Sequence, residues 1–139
     1  MPHLAEDLTR LTATDVGPRD VPDATYCRAL WLASAPPPAL AGEGPRVSLL
    51  LRGTWQKGAQ SGTLDVDTWM PDARFAPVPG LKDAHGPTQI VVERHVAAAF
   101  DAVDLANTPT PALAWTLLHK LVADADWRSV PTTGSASTQ

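Results

Sequence analysis

The sequence predicts an α+β fold: a mainly antiparallel sheet of about four strands packed against C-terminal helices, with a short N-terminal helix. Three observations lead there. Residues 46–70 hold two alternating apolar–polar runs joined by a glycine-bearing turn, the pattern of a β-hairpin. Residues 110–127 carry apolar side chains at helical spacing behind a Thr-Pro start. The 14 prolines divide the chain into short windows, because proline is excluded from helix interiors and central strands. The 139 residues suit one domain, read as residues 1–130, with 131–139 as a disordered polar tail. A domain of that length buries roughly two-thirds of the surface its unfolded chain would expose. It therefore needs neither disulfide nor metal to hold it together.

Leu4, Leu8 and Leu11 lie at i, i+4, i+7, which predicts a short helix ending at Gly17-Pro18. The window 23–35, "DATYCRALWLASA", fits both periods. Alternation places Cys27, Ala29, Trp31 and Ala33 on one face, while helical spacing groups Tyr26, Leu30 and Ala33. Its Tyr, Cys, Thr and Trp favour a strand, whereas its alanines and leucines favour a helix; the strand is preferred. The stretch "APPPALAGEGP" at 35–45 is expected to be an extended surface arm or connector, stiffened by Pro36, Pro37 and Pro38.

In the hairpin, "RVSLLLRGTW" and "TLDVDTWM" flank "QKGAQSG". As a strand, the second run sets Thr63, Asp65, Asp67 and Trp69 on one face and Leu64, Val66, Thr68 and Met70 on the other. The apolar side belongs to the core, so the two aspartates are expected to face solvent. Same-face neighbours stand about 6.6–7 Å apart. That overlaps the carboxylate separation of some glycosidases, a coincidence that any alternating strand with two acids would show.

Residues 71–87 read as a long irregular loop. "TQIVVE" at 88–93 reads as a further strand. Val96, Phe100 and Val103 have helical spacing, with Asn107 as a stop. The last helix is expected to start with Thr110 as N-cap and Pro111 at the first helical position. It should run to about Trp127 with Leu113, Leu117 and Leu121 on its apolar face.

The net charge of −4 is evenly spread, with six basic and eight acidic residues in 1–70 and five and seven in the rest. No Lys/Arg cluster exists to neutralise phosphates, which argues against nucleic acid and against an anionic membrane surface. No apolar run approaches the roughly 20 residues of a membrane helix, and the acidic N-terminus does not read as a secretory signal. One cysteine, Cys27, excludes an intrachain disulfide and a four-cysteine zinc site; it is read as a small buried thiol. A cytoplasmic protein, or one inside a particle assembled in the cytoplasm, is the expectation.

The four histidines, His3, His85, His95 and His119, lack metal-ligand spacing. HExxH, GxSxG, GxxxxGK[ST], GxGxxG and CxxC are all missing from the chain. No metal and no cofactor is therefore implied. Glu93 and His95 in "VERHV" would share a face if the strand continued, putting an acid and a base in reach of a crevice; otherwise they are solvated charges. His119 is read as edging the apolar stripe of its helix. Of the five tryptophans, Trp31 and Trp115 are assigned to the core. Trp55 and Trp69 stand at the strand ends of the hairpin, where an amphipathic ring suits an interface.

The order helix, "GPRVSLLLRGTW", turn, "GTLDVDTWMPD", loop, helix resembles that of phage tail-terminator and tail-completion proteins, over residues 44–70 and the element order. The resemblance implies a structural protein that forms rings, and it carries over no site residue. The last third departs from that pattern by ending on a long helix where a strand belongs. Taken together, the sequence suggests a non-enzymatic protein-interaction or assembly domain that binds a protein partner or itself. Its interface would involve Trp69, Asp65, Asp67, Trp55 and the Pro36–Pro38 arm. The alternatives are a tail-terminator-like structural protein and a small hydrolase using Asp65/Asp67 or Glu93/His95.

Overall fold

The structure, a computed structural model, describes residues 7–10, 15, 17–18, 25–37, 46–82 and 87–132. Its elements are β1 (Arg28–Ala33), β2 (Leu49–Lys57), β3 (Gln60–Thr68), β4 (Asp72–Pro77), β5 (Thr88–Glu93), α1 (Val96–Asp101), α2 (Thr110–Ala123) and β6 (Asp126–Pro131). The class is α+β, as expected. The single sheet of about four strands is replaced by three antiparallel two-stranded sheets, β1–β4, β2–β3 and β5–β6.

The window 28–33 is a strand, with Ala29, Trp31 and Ala33 facing inward. The hairpin forms with Leu49 opposite Thr68 and Lys57 opposite Gln60. Its turn is only Gly58-Ala59, with Gly58 at φ 61°. A two-residue hairpin loop with positive φ at its first position suits glycine there.

Several expectations need correction. Residues 71–87 are not one loop, because Asp72–Pro77 pairs with β1. The prolines obscured this strand. Pro77 stands opposite Arg28, while the next pair along is tied by Val78 N donating to Cys27 O (3.3 Å). Ladder bonds alternate along an antiparallel pair, so Pro77 falls where no N–H is required. Helix α1 ends at Asp101 rather than near Asn107. Pro109 holds the cap position of α2, so Thr110 and Pro111 each sit one place deeper than expected. That helix stops at Ala123, and Trp127 belongs to strand β6. The N-terminal helix is not seen: Asp7–Arg10 is a turn closed by Arg10 N to Asp7 O, and Asp7 also accepts from Thr9. Leu4, Leu11 and most of that window lie outside the described residues. The exposed Cys27 replaces the buried thiol.

Helix α2 organises the core. Leu113, Ala114, Leu117, Leu118, Leu121 and Val122 are buried on it. They pack with Leu49 and Val66 of the hairpin and with Ala99 and Val103 around α1. A second cluster joins Ala76, Val78, Ala125 and Trp127. Trp31 touches both clusters. It meets Trp127 edge-on at 6.1 Å and lies under the Arg94 guanidinium at 4.4 Å.

Candidate functional site

Alternation sends Leu64 and Val66 inward and Asp65 and Asp67 outward, as the sequence predicted. Asp65 pairs with Arg52 across the hairpin at 3.0 Å, both well exposed. Asp67 stands opposite Leu50. An Arg-paired carboxylate in open solvent lacks the water-excluded, substrate-facing setting that general acid–base work requires. The two aspartates form the wet face of a strand.

Glu93 and His95 do not sit on one strand face. The strand ends at Glu93, and His95 occupies the cap position of α1. There His95 Nε2 meets Asp126 Oδ2 at 2.8 Å. That hydrogen bond, helped by the nearby charges of Glu93 and Asp124, holds the imidazole pKa above its ordinary value. The group is open to solvent, with Asp126 more exposed than the histidine. A second such pair escaped the sequence reading. His119 Nδ1 meets Asp72 Oδ2 at 3.0 Å, and the ring packs edge-on against Trp115. No local pattern links residues 47 positions apart; only the packing of α2 on β4 brings them together.

Trp55 lies half-buried across Gly62, its cross-strand partner. A Cβ on Gly62 would come within 2.9 Å of the indole nitrogen, so this glycine is what lets the ring lie flat on the ladder. Beside it opens a recess of about 540 Å³ that includes Gln60, Leu105 and Ala106. A neighbouring one adds Lys57, Asp101, Asp104 and Asn107. Several of the polar groups here are engaged with one another. Lys57 Nζ donates to Asp101 O at 2.8 Å. Asp104 accepts from the backbone of Ala106 and Asn107 and from the Asn107 amide. The Asn107 side chain comes first in holding the Asp104 carboxyl below the usual carboxylate range. The recess therefore marks where the hairpin is fastened to the helix connection. Neither Asp65/Asp67 nor Glu93/His95 lines it.

The outward apolar side chains form the most distinctive surface. Trp69 is 73% exposed, Phe75 71%, Leu32 47% and Leu30 42%. Leu30 stands directly opposite Phe75. Met70 follows Trp69, and this connection between β3 and β4 is pinned. Ser48 N donates to Thr68 O and Ser48 Oγ to Trp69 O, and Met70 N donates to Thr68 Oγ1. Trp69 is thus displayed by a fixed backbone. Pro36 and Pro37 are half-buried, with Pro36 O accepting from Arg46; Pro38 lies outside the described residues.

No protein-family model, curated protein or solved structure matches the chain. Among the described residues, no helix is long and apolar enough to cross a membrane.

Proposed function

We propose that the protein is a non-enzymatic assembly domain that works by binding other protein chains, copies of itself included. The carrying observation is the outward apolar set Leu30, Leu32, Phe75, Trp69 and Met70. Leu30 and Phe75 adjoin on one sheet face, and adjoining exposed apolar side chains mark interaction surfaces. They sit on paired strand or on a hydrogen-bonded connection, as do Leu32, Trp69 and Met70, so exposing the set is a property of the fold. The charged candidates support an enzyme less well, since Asp65, Glu93 and His95 are each paired or solvated and line neither recess beside Trp55.

A narrower reading, a tail-terminator-like structural protein working inside an assembled particle, is favoured by strand β6. The sequence alone suggested an ending on a long helix. The strand after α2 supplies the terminal element that the resemblance calls for.

Light scattering behind size exclusion over a hundredfold concentration range tests the proposal. The expected result is association at micromolar concentration that is lost in the Trp69→Ser/Phe75→Ser variant. A monomer throughout, with hydrolysis of generic ester or glycoside substrates that falls on Asp65→Asn or His95→Gln, would overturn it.

A further inference from the structure

We infer that the partner is a second copy of this chain, joined edge to edge through β1 about a two-fold axis at Leu30. The inference rests on the assembly reading above and adds the partner and the geometry.

The β1–β4 ladder fixes which way each peptide group of β1 points. Val78 N donates to Cys27 O, and Arg28 stands opposite Pro77 in the adjoining register. Peptide groups alternate sides along an antiparallel strand. Hence Cys27, Ala29, Trp31 and Ala33 turn their N–H and C=O groups towards β4. Arg28, Leu30 and Leu32 turn theirs away. Among the described residues, β1 pairs with no strand but β4. The open edge thus offers three residues, symmetric about Leu30. Antiparallel pairing with a second β1 puts Leu30 opposite Leu30 of the other copy and Arg28 opposite Leu32. All three residues then find partners, for about six backbone hydrogen bonds.

The side chains agree with that register. On the outward face, Phe75, Leu30 and their counterparts line up as one four-residue row across the joined sheet. Neighbouring side chains in such a row pack at about 4.5–5.5 Å between Cβ atoms. The two Arg28 charges fall at opposite ends, about 13 Å apart along the strands at 3.3 Å per residue, so no like charges meet.

The other edges are less open. Exposed strands are normally guarded by charge or proline. β2 carries Arg52 and Lys57, and β3 carries Asp65 and Asp67. β4 follows Pro71 and ends on Pro77; β6 carries Arg128 and ends on Pro131. Only β1 and β5 have interiors free of both. Beside β5, Ile90 and Val91 face Ser129 and Arg128, whereas beside β1, Leu30 and Leu32 face Phe75 and Ala73.

The test combines scattering with cross-linking. Wild type is expected to be dimeric at micromolar concentration. Leu30→Lys, which sets two ammonium groups on the axis, should raise the dissociation constant at least tenfold. Leu30→Val should keep the dimer. In a Cys27→Ser background, Leu30→Cys should be joined by a short bis-maleimide at least tenfold faster than Ile90→Cys. Circular dichroism of each variant verifies folding. An oligomer that ignores Leu30→Lys and cross-links no faster at position 30 than at 90 overturns the β1 edge while leaving the assembly reading standing. A wild-type monomer at every concentration overturns both.

Discussion

At the scale of single residues, two positions make sharp predictions. Gly62 has room for no side chain because the Trp55 ring lies on it. Gly62→Ala would normally favour a strand, yet here the new methyl must displace the indole. The expected cost is about 1–2 kcal/mol, read by urea unfolding, with a shift in Trp55 emission. A stabilised variant would show that the ring does not rest there. The second position is His95. Its pKa is raised first by the hydrogen bond that His95 donates to the Asp126 carboxylate. A raised folded-state value means the folded protein holds the proton more tightly than the unfolded chain. The stabilisation is therefore fully present below the ordinary imidazole value of about 6.5 and is lost as pH rises through the folded value. An NMR titration should place the His95 midpoint above that of a free imidazole, and Asp126→Asn should bring it back down. An unchanged midpoint in the variant would remove Asp126 as the cause.

At the scale of elements, the hairpin and α2 carry their own instructions, and the contacts between elements depend on a few shared side chains. Trp31 is the most important, because it belongs to both apolar clusters and supports Arg94. Arg94 in turn donates to Leu121 O at the end of α2. Trp31→Ala is expected to lose about 3–5 kcal/mol, the usual cost of truncating a large core aromatic. Trp115→Ala, at the margin of one cluster, should cost less. Thermal or urea melts compare the two; equal losses would argue against Trp31 as the joint. The Trp31 and Trp127 indole N–H groups are buried with no acceptor among the described residues, so the value of these rings is packing rather than hydrogen bonding.

At the scale of the whole molecule, the apolar side chains separate into two populations. Those on α2 and the inner strand faces close the core. Leu30, Leu32, Phe75 and Trp69 face outward. Removing the outward set should leave the fold intact, since exposed substitutions away from caps and networks usually stay within ±0.5 kcal/mol. The Trp69→Ser/Phe75→Ser variant should therefore melt within a few degrees of wild type while losing association. A large fall in melting temperature would mean that these residues serve the fold instead.

Period-two alternation and the glycine turn made the hairpin legible, and with it the solvent-facing Asp65 and Asp67. The preference for β-branched and aromatic residues identified β1 and β5. These features are local, and short-range geometry alone decides them. Strand β4 was hidden because three prolines stand within or close beside it, and only its pairing with β1 shows that Pro77 needs no donor. The end of α2 was also beyond the sequence, since Trp127 fits a helical stripe as well as a strand until Val92 lies across from it. The pairing of His119 with Asp72 and the outward apolar face of β1–β4 were decided by tertiary structure. Which side of a two-sided apolar strand is covered depends on where α2 packs, and no spacing within the strand records that.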